Sequence, residues 1–366
     1  MANIHDYLSW RGDIPFKQVP PNAVDALVFS QLSYIKWNTC GQSLRDTAAL
    51  CKSRGNFARG MLAEHHTRLM ELCASGDRFG EVFLADYADE YDEVMEKQFS
   101  AVTFLLPNDL MMIAFRGTDG TLTGWKEDFN MAFSEPIPSQ KRAAEYLSLM
   151  ANTYPERGIL LCGHSKGGNL ALYACACTDE TLKSRLLAVN CFDSPGLSNA
   201  VCGNIAPIEN RIFTFVPQSS IIGMLFTKPE NQTVVESTSV SILQHSAYTW
   251  QVMGGSFVAS PKLNRSSMQV EKIVRDYLAV TDEEQRRAFI NTLFDVLAAA
   301  DSQHLGKETI LGLLKNPTAL VSSFKGLDGR TRQKLIESLL LLGGTVLTNG
   351  INRKEDTDHG KLPGNS

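Results

Sequence analysis

The sequence has little that would point away from an ordinary folded interior. It carries 8 cysteines in 366 residues, and none of them forms a CxxC pair. Paired ligand spacing is what a zinc site of this kind uses, so zinc binding is the weaker reading of these cysteines. Cys40, Cys51, Cys73, Cys162, Cys175, Cys177, Cys191 and Cys202 read as free thiols of a reducing, cytoplasmic setting. The opening residues Met1 to Tyr7 lack the basic start and apolar run of a secretory signal. The longest late apolar stretch, Leu339 to Leu347, is interrupted by Gly343 and Gly344. It falls short of the roughly 20 residues that cross a bilayer. Basic charge is not in excess: 35 Lys and Arg stand against 40 Asp and Glu, a net charge of −5. General attraction to nucleic acid is therefore not expected. Repeats, low-complexity tracts and Pro/Gly/Ser-rich linkers are also missing. What is present is 43% hydrophobic residues, ample to offset the backbone entropy lost on folding.

The periodicity divides the chain into zones. The first 75 residues are mainly helical. Pro20-Pro21-Asn22 opens a helix whose apolar face is Val24, Leu27, Val28, Leu32 and Ile35, and a second covers about Ala58 to Ala74. Strand patterns follow over Glu81 to Tyr87 and Gln98 to Leu106. The turn Pro107-Asn108-Asp109 leads into Leu110 to Phe115, which predicts a hairpin. Helix and strand then alternate. A helix over Ser139 to Tyr154, with Ser139 as its N-cap, is followed by the short strand Ile159 to Cys162. Next come a small-residue helix over Gly167 to Cys177 and the strands Leu186 to Phe192 and Arg211 to Val216. This alternation predicts an α/β fold with a mainly parallel sheet flanked by helices. Beyond about residue 266 helical patterns return. Thr281 to Glu284 is a capping box ahead of a run to Ala300, and a second helix spans about Thr331 to Leu347. The expected organisation is a core over 1–265 that includes the N-terminal helices, a helical C-terminal extension over 266–350 and a flexible tail over 351–366.

The densest chemical signal is Ile159-Leu160-Leu161-Cys162-Gly163-His164-Ser165-Lys166-Gly167-Gly168. It places G-x-S-x-G between an apolar strand and a helix of small residues. That context presents a serine hydroxyl on a sharp turn, with the amides of the following helix aimed at the same spot.

Together with Phe115-Arg116-Gly117-Thr118, Trp125, Asp128 and the continuation to Asn169, this segment resembles the class 3 lipase group of α/β-hydrolases. Asp6-Tyr7-Leu8, Trp10-Arg11-Gly12-Asp13, Gln244-His245 and Trp250 further resemble a bacterial branch of lipase-like proteins. The resemblance covers most of residues 1 to 260. It implies an α/β-hydrolase fold with helical extensions at both ends, and a lipid or small ester as substrate.

A serine needs a base to become a nucleophile. In the resembled superfamily the chain order is Ser, acid, His. Among seven histidines, only His245, His304 and His359 follow Ser165. His359 lies in the polar tail and His304 in the C-terminal addition. His245 follows the last sheet-like segment, Thr233 to Leu243, and is the expected base. His164, adjacent to the nucleophile, is expected to pack rather than react.

For the acid, Asp193 ends the strand Leu186 to Phe192, at the carboxyl edge where ligand groups collect. Class 3 lipases instead carry their acid just after the next strand, where this chain has Gln218-Ser219-Ser220. Two readings stay open. Either Asp193 orients His245, or a neutral group such as Ser219 does and the triad is incomplete. The oxyanion donors expected are the backbone amide of Lys166 and, from the resemblance, Thr118. Arg116 with Asp119 is expected to be a structural ion pair, and Trp125 and Asp128 scaffold. The apolar run Ile221 to Phe226 is expected near the site as an acyl wall, a lid or a buried helix.

These residues predict a serine esterase working through an acyl-enzyme, for which no metal or organic cofactor is called for. Its expected partner is a small-molecule or lipid ester, with transient membrane contact and no nucleic acid. A catalytically silent scaffold of the same fold is the alternative, and amide hydrolysis uses the same parts.

Overall fold

A computed structural model describes residues 1–268, apart from 59, 61, 120–123, 125–126, 129, 132–135, 221, 225–230 and 265–266. The helices expected over 281–300 and 331–347 lie outside the described residues, as do the tail, Trp125, His304 and His359.

The N-terminal zone folds as α1 (Ile4–Arg11) and α2 (Ala23–Leu32), each opened by a capping box, Asn3 with Asp6 and Asn22 with Asp25. The short β1 (Gln42–Ser43) leads into α3 (Leu44–Arg54), then α4 (Ala63–Ser75) and α5 (Asp77–Gly80). Every residue of α2 from Val24 to Leu32 is buried, so its near-uniform apolarity reflects burial on all sides rather than a single stripe. Arg78 of α5 grips Asp25 of α2 at 2.6 Å and 2.8 Å, with both side chains fully buried. The remaining guanidinium donors go to the carbonyls of Ile14, Val19 and Pro20, which satisfies the buried charge pair.

The sheet follows. β2 (Phe83–Asp92), β3 (Lys97–Leu106) and β4 (Leu110–Phe115) form an antiparallel meander. The expected hairpin turns where Asn108 and Asp109 both take positive φ, a conformation those residues tolerate. Then α6 (Pro138–Thr153), β5 (Gly158–His164), α7 (Lys166–Ala176), α8 (Glu180–Arg185), β6 (Leu186–Phe192), β7 (Ile212–Pro217) and β8 (Gln232–Val235) complete the order. β4 to β8 are all parallel, and the eight strands lie side by side in chain order.

One expectation is corrected here. Ser139 does not cap α6. The N-cap lies two residues earlier at Ile137, whose amide donates to the Gln140 side-chain oxygen. Ser139 sits buried in the first turn. Its hydroxyl donates to the Gln98 carbonyl and its amide to Glu127. Pro138, which lacks an amide to satisfy, is the better first helical residue.

Strand alternation distributes side chains to two cores. Met111, Ile113 and Phe115 pack with Tyr146 and Leu147 of α6 and Leu170 of α7. Met112 and Ala114, with Leu160 and Cys162, pack on the N-terminal helices through Val28 and Leu32. Those helices are therefore a full layer of the sheet and not an appendage. No helix among the described residues is long and apolar enough to cross a membrane.

Candidate active site

Ser165 stands between β5 and α7 with φ 59° and ψ −131°, a backbone conformation that costs a non-glycine residue free energy. Its amide donates to the Phe192 carbonyl of the neighbouring strand at 2.9 Å, which anchors the turn. The glycines around it are needed for contact distance. A Cβ on Gly167 would lie 2.1 Å from the Phe115 carbonyl oxygen, and one on Gly117 would lie 2.3 Å from the Tyr34 hydroxyl. Arg116-Gly117-Thr118 and Gly163 to Gly167 thus interlock backbone to backbone, bringing Thr118 beside the serine.

Asp193 follows β6, also at positive φ, 44°. Its Oδ2 receives Nδ1–H of His245 at 2.6 Å. Its Oδ1 receives the Ser220 hydroxyl at 2.5 Å and the Gly223 amide at 3.1 Å. Burial would push this carboxyl up, but the hydrogen bonds and charge of His245, together with Ser220, outweigh burial and hold it below the ordinary range. With Nδ1 donating, the imidazole keeps Nε2 as its lone-pair nitrogen. His245 and Ser165 line one cavity of about 210 Å³, with Thr118, Lys166, Pro195 and Ile222.

The neutral alternative is not what the geometry places at the imidazole. Ser219 gives its amide to Gln244 at 2.7 Å, and its hydroxyl accepts from Asn264 at 2.7 Å. The segment after β7 reaches the site through Ser220, on the acid rather than on the histidine.

His164 packs, as expected. Its Nε2–H donates to the His245 carbonyl at 2.7 Å, and Nδ1 accepts from Tyr34 at 3.2 Å. The two imidazole rings lie 4.6 Å apart. His164 therefore fixes the backbone of the residue beside it in space.

Lys166 opens α7, so its backbone amide is among those without an intrahelical acceptor. Its side chain is buried against Glu127 at 3.0 Å and Asp128 at 3.5 Å, and it also donates to the Gln98 carbonyl. Burial would lower this ammonium, but the Glu127 and Asp128 carboxylates outweigh it and raise it. Asp128 also accepts the Thr118 hydroxyl, and burial pushes its carboxyl up to about 6. One cation thus ties the turn bearing the serine to the loop bearing Thr118. Arg116 pairs with Asp89 at 3.0 Å and with Asp119 at 3.8 Å. Glu127, Tyr34, Gln31 and His66 went unnoticed in the sequence. Glu127 accepts from Gln98, Ser139 and Lys166, three residues whose convergence no local spacing announces.

Burial lowers His5 and His66 to about 4 and His164 to about 3. Unfolded, such groups take up protons near pH 6.5 that the native state refuses. Their stabilising contribution is complete above pH 6.5 and is lost as pH falls toward 4. The urea midpoint should drop between pH 7.5 and pH 5, with a shallower drop for His66→Phe. Equal slopes for the two proteins would remove His66 from this account.

A family model described as Mbeg1-like matches residues 73–295. The chain belongs to the Mbeg1-like family. This Mbeg1-like chain is also similar to solved lipases. M37 lipase aligns at 12% identity and TM-score 0.41, covering 62% of this chain and 90% of that one. Lip2 lipase from Yarrowia lipolytica aligns at 12% identity and TM-score 0.37, covering 63% and 93%. A fungal lipase–inhibitor complex aligns at 14% identity and TM-score 0.38, covering 63% and 94%. No curated relative matches the chain. The sheet is mostly parallel and is layered by helices on both faces, the α/β arrangement that the alternation of strand and helix predicts.

Proposed function

We propose that this Mbeg1-like protein is a cytoplasmic serine hydrolase of a bacterial, class 3 lipase-like branch that cleaves carboxylic esters through an acyl-enzyme on Ser165. The observation that carries the reading is the 2.6 Å hydrogen bond between His245 and the buried Asp193, at the cavity that Ser165 also lines. In the proposed sequence, Ser165 Oγ attacks the ester carbonyl as Nε2 of His245 accepts its proton. Asp193 keeps the imidazole in the accepting tautomer and stabilises the imidazolium. The amides of Thr118 and Lys166 receive the oxyanion. Collapse expels the alcohol, which takes the proton from His245. Water then repeats the cycle and frees the acid.

Fluorophosphonate labelling tests this reading. Wild-type protein should be modified on Ser165, and Ser165→Ala should take no label. A well-folded wild type that stays unlabelled would favour a catalytically silent scaffold instead.

A further inference from the structure

The cavity beside Ser165 continues away from the catalytic side chains toward the N-terminal layer. There it is walled by Gln31 and Tyr34 from the region of α2, and by Leu62 and His66 at α4. This end is not a plain hydrocarbon pocket. Gln31 is 2% exposed and His66 4% exposed. Gln31 Nε2 and both ring nitrogens of His66 are buried without a hydrogen-bond partner among the described residues. A buried polar group left unpaired is costly, so orphaned atoms at a cavity wall point to a ligand that completes them.

The chemistry of that ligand can be read from the donors. Gln31 offers amide N–H groups. Burial holds His66 neutral, down to about 4, so its ring carries one N–H and one lone pair. Its face lies on the Tyr34 ring, with centroids 5.3 Å apart and 7° between planes, which limits how it can turn. Lys166 is the cation among the described lining residues, and it is committed to Glu127 and Asp128. An anionic group would therefore find no counter-charge here, whereas a neutral oxygen would find donors. The volume of about 210 Å³, at ~30 Å³ per water-sized group, holds about seven non-hydrogen atoms.

We infer that Gln31 and His66 are specificity residues that select short acyl esters carrying a neutral oxygen acceptor, such as a ketone or hydroxyl, on the acyl chain. The inference rests on the serine hydrolase reading. The acyl side is assigned because that half of the ester stays bonded to Ser165 after the alcohol departs, and the cavity begins at Ser165. A purely hydrocarbon chain of the same size would leave the Gln31 and His66 nitrogens unpaired. A site built around such groups discriminates strongly against the analogue that lacks the partner.

The test compares p-nitrophenyl 4-oxopentanoate with p-nitrophenyl 4-methylpentanoate, in which a methyl replaces the ketone oxygen at nearly constant shape. Wild-type kcat/KM should favour the oxo ester at least tenfold. Gln31→Leu and His66→Phe should each bring the ratio toward one. The wild-type ratio is readable even if a variant fails to fold. A ratio within twofold in the wild type, or one unchanged in both folded variants, overturns the assignment. Fluorophosphonate labelling of the same samples separates the two levels. A labelled Ser165 without oxo preference sinks the specificity inference alone, and a folded wild type that takes no label sinks the hydrolase reading beneath it.

Discussion

Under the proposed mechanism, Asn in place of Asp193 should lower kcat for ester turnover about 10⁴-fold, the cost of losing a triad acid, with the fold retained. The side chain is almost fully buried, and its two oxygens have separate tasks. Oδ1 accepts from Ser220 and Gly223, while Oδ2 accepts from His245. An asparagine oxygen can take over the first task. Its amino group then faces Nδ1 of His245, donor against donor. The imidazole escapes by moving its proton to Nε2, which leaves no lone pair for the Ser165 proton. The expected result is a collapse of kcat with a near-normal melting temperature. Turnover within tenfold of wild type would move the acid elsewhere.

Lys166→Met should cost about 3–5 kcal/mol of stability, the range for stripping one partner from a buried ion cluster. For a chain of this size that is a fall in melting temperature of about 4–7 °C. The methionine fills much of the same volume but leaves Glu127 without its cation and takes the ammonium away from both oxygens of Gln98. The loss should be smaller at pH 5 than at pH 8, because a buried carboxyl stripped of its counter-charge avoids the penalty by binding a proton. The backbone amide at 166 is retained, so residual fluorophosphonate labelling at low temperature is expected. An unchanged melting temperature would mean that the cluster contributes nothing to holding the fold.

The parts of the fold legible in the sequence are those with short-range causes. The hairpin around Asn108, the helix beginning at Asn22 and the parallel strands bearing wholly apolar runs follow from turn chemistry, capping and period. The G-x-S-x-G turn is legible for the same reason. Ser139 misled because a serine ahead of an amphipathic run is a good cap in general, whereas here Pro138 starts the helix and Glu127 claims the Ser139 amide. Asp193 and Ser219 could not be separated in the sequence. That choice depends on which residue after β7 turns inward, and Ser220 does so. Gln31 and His66 were invisible as site residues, since α2 and α4 read simply as amphipathic or buried helices. Their approach to Ser165 exists only once the N-terminal helices are laid over the sheet.

That overlay has a practical reach. The segment that defines the family begins at residue 73, downstream of four residues that wall the cavity. A recombinant fragment trimmed to the family segment would bare the hydrocarbon underside of the strands and open one wall of the pocket to bulk water. Silence from such a fragment would report the trimming and not the protein, so any screen for turnover should begin from the first residue.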